Sequence, residues 1–328
     1  MTILVGIDIG GTKCAVSIGT VEENSIKIHS KERFSTTSSH ETTLKRIEDT
    51  LEQLMRRLEI SNIDAIGISC GGPLDSERGL ILSPPNLPNW ESINVVSLFK
   101  NKYHVPVGLQ NDANACALAE WKWGAGKGCR NMIFLTFGTG MGAGLIINGE
   151  LYTGTNDMAG EVGHIRLENE GPMGFGKEGS FEGFCSGGGI EKLARKEVAK
   201  WLLEGQSTLI CHSIEQSDQI TTKKVGEAAQ KQDPLALNIF KQVGEKLGKG
   251  LAILVDILNP ERIVIGSIYL RQQDILEPIV MSILKNESLP TALSVCEIVP
   301  AGLGEEVGDY ASLSVAWNIL NKVTKNQD

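Results

Sequence analysis

The stretch GIDIGGTK, Gly6–Lys13, lies near the start of the chain between two apolar runs. The first run, Ile3–Ile9, carries one charge, Asp8, and the second, Cys14–Ile18, follows the glycines and their threonine and lysine at once. This pattern predicts a strand, a tight glycine turn and a second strand. No helical pattern follows and the spacing Gly-x4-Gly-Lys-Ser/Thr is absent, so the stretch is not a P-loop.

The predicted turn, Gly10-Gly11-Thr12-Lys13, has the composition of an anion site. Glycines let backbone N–H groups approach an anion closely, and the threonine and lysine add a hydroxyl and a positive charge. Asp8 is costly to bury without a partner, and a hydrated metal ion would supply one. We interpret the turn as a site for a metal-bound polyphosphate. A plain hairpin turn, with Asp8 paired to a basic group of the core, is the alternative interpretation.

The composition is ordinary for a soluble globular protein, and the length is that of a two-domain chain. The chain has 328 residues, of which 41% are hydrophobic and 22% are charged, and a net charge of −9. The length favours two domains, and the acidic balance argues against a nucleic-acid partner. The absence of an N-terminal signal pattern and of an apolar run long enough for a bilayer predicts a cytoplasmic protein without a membrane partner. The seven cysteines are scattered without a C-x-x-C pair, which argues against a disulfide framework.

A second strand–glycine–strand pattern occurs in the middle of the chain. The apolar run Met132–Phe137 leads into Gly138–Gly142 and then into Ala143–Ile147. A Rossmann motif is excluded, because the residues after these glycines have a strand pattern and no G-x-G-x-x-G is complete. The repetition predicts a duplicated domain plan.

Strands and helices alternate along the chain, which predicts an α/β fold. The predicted strands besides the two hairpins are Ala65–Cys70, Val105–Leu109, Arg262–Ile265 and Leu293–Val299, with a weaker one at Ser25–Arg33. The predicted helices are one from Glu41 onward, Ala115–Trp123, Leu235–Leu258 and Tyr310–Leu320.

Six short motifs follow one another in a characteristic order. They are DIGGTK (Asp8–Lys13), PNLPNW (Pro85–Trp90), NDAN (Asn111–Asn114), GTGMGAG (Gly138–Gly144), LYTGTNDMAGEVGH (Leu151–His164) and NPERIVIG (Asn259–Gly266). Each motif alone is weak, but the ordered set, which covers nearly the whole chain, resembles the ROK family (repressors, open reading frames, kinases) of the actin-like ATPase superfamily.

The resemblance implies an α/β fold with two actin-like (ribonuclease H-like) domains and a cleft between them. We expect a small domain of residues 1–112 plus 310–328 and a large domain of residues 113–309. The implied activity transfers the γ-phosphate of ATP to a hydroxyl, expected to be the 6-hydroxyl, of a hexose. The implied partners are a sugar and ATP, and the family suggests a homodimer.

Asp112 matches the family's catalytic aspartate. Phosphoryl transfer requires a positioned hydroxyl, a base that accepts its proton and neutralisation of charge around the γ-phosphate. An aspartate at a strand end meets the second requirement, and its ordinary pKa would leave it ionised at cytosolic pH. The alternative role is that of a helix N-cap, which aspartate favours strongly.

The resemblance also assigns the remaining site residues. Sugar binding falls to Gly72, Asn86, Asn111, Asp112, Glu161, His164 and Glu182. ATP binding falls to Gly10, Gly11, Thr12, Lys13, Gly138, Thr139, Gly140, Gly266 and Gly302. Asp8 would hold Mg²⁺ through water, because Mg²⁺ retains much of its hydration. Glu161 and His164, three residues apart, would share one face of a helical turn. A plain surface or core pair is the alternative.

The chain departs from the family at its zinc motif. In place of the cysteines of C-x-C-G-x-x-G-C it has Met173, Phe175 and Ser180. None of these is a plausible zinc ligand, so no structural zinc is expected. His164, a zinc ligand in the family, would then serve the sugar alone, and packing around Phe175 and Phe181 would replace the metal.

Two further departures concern the region expected near the adenine. Ile265-Gly266-Ser267-Ile268 stands where kinases of the family usually have three consecutive glycines, and Gly308-Asp309-Tyr310-Ala311 replaces a more apolar turn. Both bear on nucleotide preference and leave the phosphate and sugar motifs intact.

Three functions are compatible with the family. A hexose kinase is favoured, because Asp112, Lys13 and both glycine turns are present. A repressor would carry a DNA-binding domain before the first hairpin, which here begins at Ile3, and the acidic charge opposes DNA. A sugar-binding protein without catalysis is the third. Glucose is the family's commonest substrate, and N-acetylmannosamine, N-acetylglucosamine, allose and fructose are alternatives that Asn86–Trp90 and Gly71–Pro73 are expected to distinguish.

Overall fold

The computed structural model describes residues 2–23 and 25–325. Its strands are β1 Ile3–Ile9, β2 Lys13–Val21, β3 Ile26–Ser35, β4 Ala65–Cys70, β5 Leu74–Asp75, β6 Leu80–Ile81, β7 Ile93–Asn94, β8 Val107–Asn111, β9 Met132–Phe137, β10 Met141–Ile147, β11 Glu150–Tyr152, β12 Met173–Gly174, β13 Lys177–Glu178, β14 Arg262–Ile265 and β15 Glu297–Pro300. Its α-helices are α1 His40–Arg57, α2 Val95–Tyr103, α3 Asp112–Trp123, α4 Phe181–Phe184, α5 Gly187–Leu203, α6 Thr222–Gln230, α7 Pro234–Leu258, α8 Ile268–Arg271, α9 Gln273–Glu287, α10 Pro290–Leu293 and α11 Val307–Lys325.

Two five-stranded sheets share one plan. The first has the order β3-β2-β1-β4-β8, in which β3, β2 and β1 are antiparallel neighbours and β1, β4 and β8 are parallel. The second has the order β11-β10-β9-β14-β15, with an antiparallel β10–β11 hairpin and parallel β9, β14 and β15. The α/β fold and the duplicated plan predicted from the two glycine turns are confirmed.

The chain divides into two compact units. The first comprises residues 1–130, 144–159 and 305–328, and the second comprises residues 131–143 and 160–304. The domain boundaries expected from the sequence stay a prediction. Among the described residues, no helix is both long and apolar enough to cross a bilayer.

Helix α11 lies close against the first sheet because a row of glycines leaves room for it. Gly6, Gly67 and Gly108 stand side by side on β1, β4 and β8. A Cβ atom at Gly67 would lie 2.0 Å from the carbonyl oxygen of Ser312 and 2.2 Å from the amide nitrogen of Ala316. The row therefore sets how deeply α11 sits. The aliphatic core residues of β1, β2 and β4, with the buried face of α1, form a continuous apolar cluster in the same unit.

Most predicted elements are confirmed, and several differ in extent. The strand predicted at Val105–Leu109 is Val107–Asn111, and the helix predicted at Ala115–Trp123 begins at Asp112. The last helix runs from Val307 to Lys325, longer at both ends than predicted. The predicted strand at Leu293–Val299 is wrong in its first part, because α10, which begins at Pro290, extends to Leu293 and a turn follows it. The strand itself is Glu297–Pro300.

Candidate active site

Asp112 stands at the junction of β8 and α3 in the first unit. It is the first residue of the helix, and the preceding Asn111 is the N-cap, because the Asn111 side-chain oxygen accepts the N–H of Asn114 at 2.8 Å. The N-cap role considered for Asp112 is therefore filled by Asn111. Since a neighbour satisfies the helix end, the carboxyl group of Asp112 is available for other chemistry.

Ser69 holds one oxygen of the Asp112 carboxyl group. Its hydroxyl, on the adjacent strand β4 and almost fully buried, donates to Asp112 Oδ1 at 3.0 Å. Although part of Asp112 is accessible to solvent, burial of the carboxyl group raises its pKa, and the Ser69 hydrogen bond lowers it. The expectation that Asp112 has an ordinary pKa is thus wrong, because its pKa is raised. A base with a raised pKa accepts a substrate proton more readily once it is ionised.

Asp8 lies beside this pair on the central strand of the first sheet, in register with Ser69. Burial, followed by the negative charge of Asp112, raises the pKa of Asp8 from 3.8 to about 7. Asp8 forms no ion pair with any other described residue. Lys31 and Arg33, the nearby cations, both pair with Asp309 and lower the pKa of Asp8 only through space. Among the described residues, Asp8 therefore has no basic partner of the kind that the alternative interpretation required.

The first glycine turn is braced by Thr36, the residue that follows β3. Thr36 donates its hydroxyl to the Gly10 carbonyl oxygen at 2.6 Å and its backbone N–H to the Thr12 carbonyl oxygen at 3.0 Å. Within the turn, the Gly10 N–H donates to the Lys13 carbonyl oxygen at 3.1 Å. These bonds fix the carbonyl groups of Gly10, Thr12 and Lys13 and so hold the shape of the turn.

Asn86 connects the first turn to the surroundings of Asp112. A Cβ atom at Gly11 would lie 2.5 Å from the Asn86 carbonyl oxygen, so only glycine permits this contact. A Cβ atom at Gly71 would lie 3.6 Å from Asn86 Oδ1 and 3.9 Å from Asp112 Oδ2. The first unit thus brings together the turn, Asn86, Gly71 and Asp112. Gly72, by contrast, has open space where a side chain would be.

The second glycine turn belongs to the second unit and is braced by Glu182. The Glu182 carboxylate accepts the N–H of Met141 at 3.0 Å, and a Cβ atom at Gly140 would lie 2.9 Å from its Oε2. The Gly138 carbonyl oxygen accepts the N–H of Gly187 at 2.7 Å. Glu182, expected to contact a sugar, therefore also shapes the expected phosphate turn.

Glu161, His164 and Glu182 are the residues of the second unit that the sequence assigned to sugar binding. Glu161 immediately precedes a 3₁₀ turn, Val162–His164, and residues three apart in such a turn are eclipsed, which is the geometry that a shared face requires. Burial and the charge of Glu182 raise the pKa of Glu161, and His164 lowers it. Both Glu161 and His164 are exposed to solvent. Exposed hydrogen-bonding groups of this kind suit a polyhydroxylated ligand.

The two glycines assigned to adenosine follow neighbouring parallel strands. Gly266 follows β14 and donates its N–H to the Leu135 carbonyl oxygen at 3.0 Å, and Gly302 comes two residues after β15. Because the carboxyl ends of parallel strands meet at one edge of a sheet, both lie at the same edge of the second sheet.

The segment at the family's zinc positions contains a short hairpin, β12–β13. Met173 is 50% and Phe175 is 78% exposed, whereas Phe181 is buried. The expectation that Phe175 packs in place of the metal is therefore wrong, because Phe175 lies at the hairpin tip with most of its side chain exposed to solvent. Ser180 is buried and caps α4. In the part of the chain that the structure describes, no three His, Cys, Asp or Glu side chains are grouped as a metal site.

Sequence reasoning missed Ser69 and Thr36. A usable signal existed for Ser69, because it is the one hydroxyl in the run Ala65–Cys70, directly before the Gly71-Gly72-Pro73 loop. Nothing in the sequence marks Thr36, whose role depends on the pairing of β2 with β3.

Comparison with known proteins gives one consistent result. The model of the ROK family matches residues 4–315. The glucokinase of Thermotoga maritima is 30% identical over 318 residues, which cover 95% of this chain and 96% of that protein. The crystal structure of a ROK family glucokinase from Streptomyces griseus in complex with glucose and AMPPNP covers 96% of this chain and 99% of that one, with a TM-score of 0.73 and 28% identity.

The family also contains regulators. A xylose repressor of Caldicellulosiruptor bescii is 32% identical over 230 residues, which cover 69% of this chain and 56% of the repressor. Matched over nearly its whole length, and carrying the glycine turns and acidic residues described above, the chain belongs to the ROK family.

Proposed function

We propose that this protein is an ATP-dependent hexose kinase that transfers the γ-phosphate of ATP to the 6-hydroxyl of a hexose, with glucose as the first candidate. The observation that carries the proposal is the Asp112 carboxyl group, held by Ser69 and lying beside Gly71 and Asn86. Family membership and the glucokinases among the relatives support a sugar kinase.

In the proposed reaction Asp112 is the general base. Ser69 fixes Oδ1, so Oδ2, on the side of Gly71, is the oxygen that would accept the proton of the sugar hydroxyl. The attacking oxygen then forms its bond to the γ-phosphorus as the bond to the β,γ-bridging oxygen breaks, and ADP leaves. Asn86, Asn111, Glu161, His164 and Glu182 are proposed to bind the sugar hydroxyls.

The nucleotide is assigned to the two glycine turns. Backbone N–H groups of Gly10–Lys13 and Gly138–Gly140, with the Lys13 ammonium group, would neutralise phosphate charge. Gly266 and Gly302 would lie near adenosine.

Asp8 suits a magnesium ion that accompanies ATP. Mg²⁺ commonly binds proteins through one or two carboxylates, with water and substrate phosphates as its other ligands, so a single half-buried carboxylate fits it. When bound, the ion would neutralise phosphate charge and favour the ionised form of Asp8, whose pKa is otherwise about 7.

The assembly and location follow from the family resemblance. We propose a cytoplasmic homodimer whose domains are residues 1–112 with 310–328 and residues 113–309. Light scattering of the purified protein measures its molar mass and so tests the homodimer.

An ADP-release assay coupled to pyruvate kinase and lactate dehydrogenase tests the activity. Glucose, N-acetylmannosamine, N-acetylglucosamine, allose and fructose would each be supplied with ATP and Mg²⁺. We expect glucose to give the highest kcat/KM. Release of ADP with an N-acetylated sugar alone would support the proposed kinase activity but contradict glucose as the substrate.

Asp112→Asn is the matched variant, since it keeps the shape of the side chain and removes its basicity. Loss of a positioned base lowers kcat by roughly 10²–10⁴. Glucose binding, measured by calorimetry, should be largely retained. Near-normal turnover of the variant would remove Asp112 from the role of base. Absence of ADP release with every sugar, together with retained sugar binding, would favour a non-catalytic sugar-binding relative.

A further inference from the structure

Ser267 has a backbone conformation that suits glycine. It lies between the end of β14 and the start of α8, with φ 52° and ψ −108°. A side chain rarely adopts this combination, because its Cβ atom crowds the neighbouring backbone, whereas glycine adopts it freely. A strained serine therefore lowers stability, and it persists only where the surrounding structure compels it.

The Ser267 hydroxyl contributes nothing to the fold that would offset this strain. It makes no side-chain hydrogen bond to the start of α8. It has no hydrogen-bond partner among residues 2–23 and 25–325, and the residue is only partly buried. A strained residue whose polar group has no structural partner is a candidate for a contact with a ligand.

The hydroxyl faces the second glycine turn. A Cβ atom at Gly138 would lie 3.5 Å from Ser267 Oγ and 3.9 Å from Ser267 Cβ, so the oxygen is the nearer atom. The first glycine of the turn and the side chain of Ser267 thus border the same space. Both belong to the second unit.

We propose that Ser267 is a nucleotide-contact residue whose hydroxyl donates a hydrogen bond to a phosphate oxygen of the nucleotide held at Gly138–Gly140. The inference rests on the proposed function, because it takes that turn to bind phosphate. The strained backbone aims the hydroxyl at the turn, and the protein gives up stability for this contact. Removal of the side chain should therefore weaken nucleotide binding and stabilise the free protein.

Two substitutions separate the hydroxyl from the strain. Ser267→Ala removes the hydroxyl and keeps the Cβ atom, and Ser267→Gly removes both. Calorimetric titration with AMPPNP should show about tenfold weaker binding for both variants, as expected for a lost hydrogen bond to a charged group. In the absence of nucleotide, Ser267→Gly should melt about 2 °C above Ser267→Ala, because only the glycine relieves the strain.

Ser92→Gly is the matched control. Ser92 also has a positive φ, 54°, but it is an exposed residue of the first unit. Its replacement should leave AMPPNP binding unchanged. Adenosine, which lacks phosphates, should bind the wild type and Ser267→Ala equally well.

The outcomes distinguish this inference from the function on which it rests. If the wild type binds AMPPNP and Ser267→Ala binds it as tightly, the proposed contact of Ser267 with the nucleotide is wrong, whereas the proposed kinase activity is unaffected. An equal loss of adenosine binding would overturn the assignment to phosphate. A Ser267→Gly protein that melts no higher than Ser267→Ala would overturn the strain argument. Failure of the wild type to bind AMPPNP at all would overturn the proposed function as well.

Discussion

Replacement of Ser69 by alanine should shift the pH dependence of the reaction. Ser69 Oγ donates to Asp112 Oδ1 at 3.0 Å, and this bond lowers a pKa that burial raises. A hydrogen bond to the ionised carboxylate favours the form that acts as a base. Without it the pKa of Asp112 rises further, so the ionised fraction is lost at a higher pH as the solution is acidified.

The size of the shift follows from the strength of the lost bond. A hydrogen bond to a charged group contributes about 1.5–3 kcal/mol. Water can reach part of the Asp112 side chain and would replace some of the lost interaction, so the lower end of this range applies. At about 1.4 kcal/mol per pKa unit, the acid limb of kcat/KM should move up by roughly one pH unit.

The assay is the coupled ADP-release assay over a range of pH with saturating Mg²⁺. On the acid side of the wild-type limb, Ser69→Ala should be roughly tenfold slower, and the difference should shrink toward alkaline pH. The KM for the sugar should change little. Ser17→Ala is the matched control. Ser17 lies on β2 of the same sheet and is as buried as Ser69, but it donates to the Gly6 carbonyl oxygen instead of to Asp112.

A Ser69→Ala protein whose rate falls by the same factor at every pH would refute the reasoning. That result would mean that Ser69 affects the site only through its structure. A shift of the acid limb in Ser17→Ala as large as that in Ser69→Ala would refute it equally.

Three further predictions concern the fold and the second turn. The pKa of Asp8 is raised from 3.8 to about 7, so the folded state holds a proton that the unfolded state releases. The free energy of unfolding of the nucleotide-free protein should therefore fall as pH rises from 4 to 7, by up to about 4 kcal/mol, and Asp8→Asn should remove much of this fall in urea titrations. Gly67→Ala would place its Cβ atom within 2.0 Å of the α11 backbone, so unfolding in urea should show a loss of about 3 kcal/mol or more, whereas Gly308→Ala on α11, with open space, should be neutral or slightly stabilising. Glu182→Ala should raise the KM for ATP as well as for the sugar, because the carboxylate accepts the Met141 N–H of the second turn, and an effect on the sugar alone would contradict this.

Local sequence determined the elements and their order. The two strand–glycine–strand patterns predicted both hairpins, since alternating apolar residues and glycines specify such turns through short-range physics. The same patterns predicted the duplicated plan that the two sheet orders confirm. The positions of the candidate residues at strand ends were also predictable, because the polar residues interrupt or follow apolar runs.

Element boundaries were harder to predict where either of two neighbouring residues could cap a helix. Asn111 and Asp112 are both good capping residues, and the sequence alone does not say which one begins α3. The structure assigns the cap to Asn111 by its hydrogen bond to Asn114, and this leaves Asp112 free for chemistry.

Tertiary structure decided the electrostatics of the site. Burial raises the pKa of both Asp8 and Asp112, and the charge of Asp112 raises the pKa of Asp8 further. The two residues approach each other because β1 pairs with β4 and β4 pairs with β8. Ser69 reaches Asp112 across 43 positions of sequence. Such contacts depend on which strands become neighbours, and no local pattern records that.

The sequence by itself determined that this protein has two glycine turns on a duplicated α/β plan, with an aspartate at a strand end. Only the tertiary structure decided that Ser69 holds the aspartate, that Thr36 braces the first turn and that Glu182 braces the second. The physical reason is that turn formation depends on residues adjacent in the chain, whereas hydrogen bonds and pKa values depend on atoms that only folding brings within a few ångströms of one another.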